Sequence, residues 1–247
     1  FIPIVATFAA FMTRAYDQIR MATLAKANIK FIGSHAGVSI GEDGASQMGL
    51  EDLSMFRSVF GSTVLYPADA VSAQKLVEEM IKRQGICYLR VGRPATPVIY
   101  KNEENFPIGG SKLHRIINKK QETRNKQKVI IVAAGITLYE SLKAQEILAK
   151  ENIETIVVDC YSIKPIDSGT LEKLSDSFST ILTVEDHWFE GGLGDAVLNV
   201  FSDNPKVKIY KLAVTKLPHS GKPAELLDYE GISAKSIISL VRSLFLK

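Results

Sequence analysis

Cysteine is scarce in these 247 residues: only Cys87 and Cys160, 73 positions apart. That spacing excludes a disulfide scaffold, and neither cysteine has histidine or cysteine neighbours at the short intervals a zinc site needs. Each lies in an apolar run, Gly-Ile-Cys-Tyr-Leu and Ile-Val-Val-Asp-Cys-Tyr, and reads as a small buried hydrophobe in a reducing setting. No apolar run reaches the roughly 18 residues that a membrane-spanning helix requires, so no membrane partner is expected. The N-terminus lacks the basic flank and small-residue cleavage site of a secretory signal. It opens on Phe1, already inside an apolar segment, which leads us to expect a piece of a longer polypeptide. Charge of one sign is also missing, since 30 Lys and Arg against 27 Asp and Glu leave a net +3. The excess is concentrated between Ser111 and Lys128, where seven basic residues face one Glu, and the rest of the chain is mildly acidic. A broad basic field for nucleic acid is therefore excluded, and the basic segment reads as a solvated connection or as a contact for an anionic partner.

What is present is an alternation of two periods. Phe8, Phe11, Met12, Ala15, Ile19 and Ala22 recur at three- and four-residue steps and predict one helix of about five turns across 7–27. Strands are expected to begin near positions 29, 62, 85, 129, 153, 179 and 207, with helices over 69–83 and 138–150, near Leu171 and after Gly192. Near-continuous Val and Ile runs such as Val-Ile-Ile-Val are the pattern of strands buried on both faces, which points to parallel sheets covered by helices. The expected fold class is α/β, two parallel-sheet three-layer domains over 1–107 and 128–247, joined by a basic linker at 108–127 that carries at most one strand.

Three constellations carry polar chemistry or flat aromatic surface. Phe8 and Phe11 are neighbours at helical spacing and serve equally as core or as a platform for a heterocycle. The segment Ser34-His35-Ala36-Gly37-Val38-Ser39-Ile40-Gly41-Glu42-Asp43-Gly44, with Gln47 close behind, follows a strand at the end where open α/β sheets bind ligands. There His35 can donate to a phosphate or move a proton, and Asp43 can accept sugar hydroxyls; a plain turn capped by Asp43 explains the same residues. Glu42 and Asp43 are adjacent carboxylates with no further ligand spacing and do not make a metal site. Arg90 and Arg93 close the strand Gly-Ile-Cys-Tyr-Leu-Arg, and Arg93, fixed between Gly92 and Pro94, presents a guanidinium fork that suits either phosphate or solvent. Glu185, Asp186 and His187 are compatible with a catalytic cluster but read mainly as a structural cap on a buried strand that contacts another domain. The following Trp188-Phe-Glu-Gly-Gly-Leu-Gly194 is similar to a phosphate-binding turn but lacks the Gly-x-Gly-x-x-Gly spacing.

Taken together, the segments TFAAFMTRAYDQIRMA, GSHAGVSIGEDGASQMGLEDLSMFRS, YPADA, VGRP, TLYESL, IKPID, ILTVEDHWFEGGLG and SGKPAELL resemble the transketolase family over nearly the whole chain. Glutamine at position 47 is similar to the animal-type branch. The resemblance implies part of a pyrimidine-binding domain followed by the C-terminal domain. It also implies transfer of a two-carbon ketol unit between sugar phosphates in the pentose phosphate pathway, by a cytoplasmic homodimer whose site is shared between subunits. Thiamine diphosphate and a divalent cation, Mg or Ca, are the implied cofactors. Residue by residue, it implies that Phe11 stacks on the aminopyrimidine with Phe8 lining the same pocket, and that His35, Asp43, Gln47 and Arg93 contact the substrate. The family's activating glutamate is expected upstream of Phe1, and its Gly-Asp-Gly motif in an N-terminal domain; no Gly-Asp-Gly occurs in this sequence. The 247 residues alone are therefore expected to contain no catalytic residue, to bind no metal and to be inactive. A non-catalytic module kept for oligomerisation is the second class. Deoxyxylulose phosphate synthase and the beta subunits of 2-oxo acid dehydrogenases share the architecture, but the loop at 34–44 with Arg93 favours a sugar phosphate over a lipoyl domain.

Overall fold

A computed structural model describes residues 1–116 and 127–245. The first sheet is built from β1 (Ile4–Phe8), β2 (Lys30–Ser34), β3 (Thr63–Leu65) and β4 (Cys87–Arg90), all parallel, in the spatial order β1-β2-β4-β3. The second contains β5 (Lys112–Arg115), β6 (Gln127–Ala133), β7 (Ile153–Asp159), β9 (Thr180–Trp188) and β10 (Lys208–Val214), in the order β10-β9-β6-β7-β5. The intervening short strand β8 (Ser162–Lys164) leaves the second half and pairs antiparallel with β3, completing the first sheet. β5 likewise pairs antiparallel with β7. Both sheets are thus mostly parallel, each with one antiparallel edge strand donated from outside its own β-then-α rhythm. Within the expected linker, β5 is the one strand anticipated; residues 117–126 lie outside the described residues.

Every strand expected from the Val and Ile runs is present, with its start within two residues of the position read from sequence. The alternation along β6 explains why such runs lack a polar face: Val129, Ile131 and Ala133 enter one core, while Ile130 and Val132 enter the other. Both cores draw on both sheets, for Leu65 and Leu89 share one with Val184, and Val64 and Tyr88 share the other with Ile181. Both cysteines are buried and free.

The single long helix expected over 7–27 is corrected. Thr7 and Phe8 end β1, which runs in register with β2 so that Phe8 lies opposite Ser34. The chain then forms α1 (Ala9–Met12), a 3-10 turn (Thr13–Ala15) and α2 (Tyr16–Leu24). The β-branched start Ile4-Val5 and the backbone pairing with β2 outweigh a helical period that holds only from Ala9 onward, where Ala9, Met12 and Ile19 are buried. The remaining helices are α3 (Asp52–Ser58), α4 (Ala70–Lys82), α5 (Ile136–Lys150), α6 (Ser168–Ser175), α7 (Leu193–Val200), α8 (Pro223–Tyr229) and α9 (Ala234–Phe245). α4 begins with a reciprocal cap, Asp69 accepting from the Ser72 amide at 2.8 Å while the Asp69 amide donates to Ser72 Oγ at 3.0 Å. Among the described residues no helix is long and apolar enough to cross a membrane.

Candidate functional site

β2 ends at Ser34, and the next residue, His35, takes a left-handed backbone with φ of 56°. A histidine in that region is strained unless its surroundings fix it, and here they do. The Gly37 amide donates to the Gly49 carbonyl at 2.8 Å, so the segment 35–49 closes on itself. Because Phe8 and Ser34 are register partners, the His35 ring is delivered onto Phe8, with centroids 3.8 Å apart and planes 12° from parallel. Phe8 also stacks on Phe11, at 5.4 Å and 9°. The three rings are half-buried, and Phe8 is common to both pairs. Ser34 Oγ donates to the Thr7 carbonyl at 3.5 Å and can therefore accept from His35 Nδ1–H at 3.0 Å, which leaves Nε2 as the open edge of the imidazole.

The second group lies farther along the same loop. Arg93 Nη1 donates to the Ile40 carbonyl at 3.1 Å and to Asp43 Oδ1 at 3.2 Å, with Glu42 at 3.7 Å. Among the described residues only that one nitrogen of the guanidinium is engaged, so Nε and Nη2 remain available to a ligand. The Arg93 side chain is 43% exposed, so its pairing with Asp43 is a solvent-screened contact of about 0–1 kcal/mol, weak enough for a ligand anion to compete. Gln47 is half-buried with its amide donating to the Gly44 carbonyl at 3.0 Å; its side chain makes no hydrogen bond to Asp43 among the described residues. The structure thus pairs five of the residues singled out by sequence into two groups, an aromatic set of Phe8, Phe11 and His35 and a polar set of Asp43 and Arg93, while Gln47 follows Asp43 in the same loop without a bond to either group among the described residues.

Arg90 belongs elsewhere. It is fully buried, with Nε donating to Asp52 Oδ2 at 2.8 Å and Nη2 to the carbonyls of Gly49 (2.9 Å) and Asp186 (2.8 Å). Its guanidinium sits 4.6 Å from the Tyr66 ring centroid. It therefore holds the first half against the second and does not face solvent or a ligand.

The Glu185-Asp186-His187 cluster is the counterpart of that clamp, as its structural reading anticipated. The Asp186 carboxylate accepts from the amides of Val38 at 2.7 Å and Ser39 at 3.2 Å, in the middle of the loop. Burial pushes its pKa up, while Arg90 and these donors pull it back. His187 Nδ1–H donates to the Trp188 carbonyl at 2.8 Å, so Nε2 is the acceptor for the Ser54 amide at 3.3 Å. Burial lowers its pKa to about 4, and this neutral tautomer is the form the two bonds require. The turn 188–194 is corrected as a phosphate candidate. The amides of Leu193 and Gly194, which open α7, are already taken by the Glu185 carboxylate, and an added Cβ at Gly192 would lie 1.9 Å from that carboxylate. Sequence alone marked this cluster as structural but could not show that it grips the loop at 38–39, because the partners are 148 and 147 residues apart.

Two family models match the chain, the transketolase pyrimidine binding domain over residues 1–98 and the transketolase C-terminal domain over residues 118–237. Transketolase of Homo sapiens is 47% identical over all 247 residues, and transketolase-like protein 2 of Mus musculus is 48% identical. The chain spans 38% of the length of each of these relatives. Among solved structures, a split gene transketolase described as an inactive beta4 tetramer matches with a TM-score of 0.84 at 30% identity, over 98% of this chain and 75% of that one. A transketolase from Campylobacter jejuni subsp. jejuni NCTC 11168 matches with a TM-score of 0.78 at 21% identity, over 98% of this chain and 36% of that one.

Proposed function

This chain belongs to the transketolase family, and from that premise we propose that it supplies the sugar-phosphate side of a site where a two-carbon ketol unit passes between sugar phosphates. The observation that carries the reading is that the aromatic set and the Arg93 and Asp43 pair both lie at the C-terminal ends of parallel strands of the first sheet, β1, β2 and β4. The residues fit the pyrimidine half of thiamine diphosphate, because half-buried parallel rings offer a flat neutral surface to a heterocycle. When bound, that cofactor supplies carbanion stabilisation.

In this reading Phe11 holds the aminopyrimidine by ring contact and Phe8 keeps Phe11 and His35 parallel to each other. His35 Nε2, the open edge of its imidazole, bonds the substrate. Arg93 uses Nε and Nη2 as a fork for the phosphate. Asp43, an acceptor only when ionised, takes a hydroxyl hydrogen of the sugar and fixes its configuration, and Gln47 offers a neutral amide beside it. We assign the activating glutamate, the diphosphate anchor and the divalent-cation site to polypeptide other than these 247 residues. We assign the working protein to a cytoplasmic homodimer with the site shared between subunits, and expect no turnover from the 247 residues alone.

The test is Arg93→Ala in the whole protein, assayed with a phosphorylated and an unphosphorylated ketose donor. Loss of a charge-assisted contact worth about 1.5–3 kcal/mol raises KM for the phosphorylated donor about ten- to a hundredfold. The unphosphorylated donor should be nearly unaffected. Equal damage to both would show that Arg93 holds the fold or the cofactor and would sink the assignment.

A further inference from the structure

The loop that carries His35 and Asp43 is supported from outside by the second half of the chain, at three places. Asp186, at the end of β9, accepts the two successive amides of Val38 and Ser39. Gly37, with φ of 84°, lies so close that an added Cβ would come within 2.1 Å of Asp186 Oδ2. On the other flank the same test brings Gly41 to 3.0 Å from Pro223 and Gly44 to 2.6 Å from Ser220 Oγ. The loop thus threads between a strand end and the start of α8, and its own glycines are the points of close approach.

Packing alone does not call for a carboxylate here. Asp186 is fully buried, and an apolar residue of similar size would fill the space without the desolvation cost of an ion. What a carboxylate adds is direction: two oxygens aimed at two consecutive amides fix both the height of the 3-10 turn Val38–Ile40 and its rotation. Arg90, donating to the Asp186 carbonyl and to Asp52, ties the strand end that carries this acceptor to the first sheet.

We propose that Asp186 is a positioning residue for the sugar-binding loop, so that the C-terminal half sets the placement of His35 and Asp43; the inference rests on the reading that these two contact the sugar phosphate. Misplacing a binding group by about 1 Å can cost as much as a hundredfold in rate.

The experiment is Asp186→Asn in the whole protein, combined in a double-mutant cycle with Asp43→Ala. The asparagine keeps the shape but turns an N–H₂ toward one of the two amides. Two results are expected: at least a tenfold fall in kcat/KM at a temperature where both proteins are fully folded, and faster hydrogen exchange at the Val38 and Ser39 amides. With Asp43 already replaced, the same substitution should cost clearly less than in the wild-type background, because one of the two groups being positioned is gone. Undiminished loss in the Asp43→Ala background would mean a general structural role, and unchanged exchange at Val38 and Ser39 would mean that Asp186 does not hold the loop; either overturns the inference. If Asp43→Ala alone leaves kcat/KM intact while exchange at Val38 and Ser39 quickens in Asp186→Asn, the sugar-recognition reading fails and the loop anchor stands. Should Asp186→Asn fail to fold, Pro223→Ala removes the half-buried support beside Gly41 without disturbing a buried ion, and the same cycle is read with it.

Discussion

Replacing Arg90 with methionine tests how far this buried arginine, paired with Asp52 inside the first half and bonded to the Asp186 carbonyl of the second, secures the junction. Arg90 and Asp52 are both fully buried, and the substitution removes three hydrogen bonds at once, those to Asp52, to the Gly49 carbonyl and to the Asp186 carbonyl. Methionine fills most of the volume, so the cavity contribution is small and the cost is electrostatic. Asp52 keeps its bond from the Tyr88 hydroxyl at 2.6 Å but loses its cation, and breaking a buried pair from one side costs about 3–5 kcal/mol. Against a typical total stability of about 5–15 kcal/mol, that is a large fraction. Trp188, the single tryptophan of the chain, donates from Nε1 to Glu51 Oε1 at 3.0 Å across the junction, so its fluorescence reports the contact directly. In guanidinium titrations of Arg90→Met the fluorescence transition should move to lower denaturant and precede loss of far-ultraviolet dichroism, as the junction opens before the sheets. Adding Asp52→Asn should restore most of the loss, since an uncharged pair in the same place is close to neutral. A shift equivalent to less than about 1 kcal/mol, or a double variant no better than the single one, would refute the idea that the stranded Asp52 charge and the lost bond to Asp186 carry this cost.

The buried histidine predicts acid sensitivity. His187 must be neutral to accept from Ser54, and its folded pKa of about 4 lies below the unfolded value of 6.5, so stability is complete above 6.5 and falls as pH drops toward 4, by up to about 3 kcal/mol. The difference in unfolding free energy between wild type and His187→Gln should show that window. Asp159 has the opposite sign. Burial raises its pKa to about 7 from 3.8, so the wild-type fold loses stability as pH rises between those values, and Asp159→Asn should gain on wild type up to about 4 kcal/mol by pH 8. A variant that tracks wild type at all pH values would show that the Tyr100 hydroxyl, donating at 2.6 Å, fully compensates the buried charge. Two glycine substitutions separate backbone strain from close approach. Gly61→Ala, where φ is 65° and nothing lies within 4 Å of the new Cβ, should cost about 1 kcal/mol, whereas Gly37→Ala also collides with Asp186 and should cost about 2–4 kcal/mol by thermal denaturation.

Much of the fold was legible because buried parallel strands are written locally. Runs such as Val-Ile-Ile-Val placed β6, β7, β9 and β10, and the helix start at Asp69 and the helix near Leu171 were read from their local sequence. The errors came where a distant partner decided the local conformation. Phe8 carries a helical period with Phe11, yet it is a strand residue because β2 lies beside it. The run from Ile153 to Lys164 looks like one strand, but its last three residues pair with β3 in the other sheet. No window confined to either segment contains that information.

The site divides along the same line. Residue types at 35, 43 and 93 could be read as phosphate and hydroxyl ligands because that chemistry belongs to the side chains themselves. Whether two arginines three positions apart bind a ligand or a carboxylate cannot be read that way. Arg90 and Arg93 flank the same strand end, and alternation sends Arg90 inward to Asp52 while Arg93, past the strand in a loop, turns outward to Asp43. The pair shows how one short segment serves both purposes: its inward arginine fixes the strand end that carries Asp186, Asp186 fixes the loop at Val38 and Ser39, and the loop returns Asp43 to the outward arginine. The circuit passes through the second sheet before it comes back three residues from where it started. A substitution in the C-terminal half can therefore reach the outward guanidinium of Arg93 through only two intervening contacts.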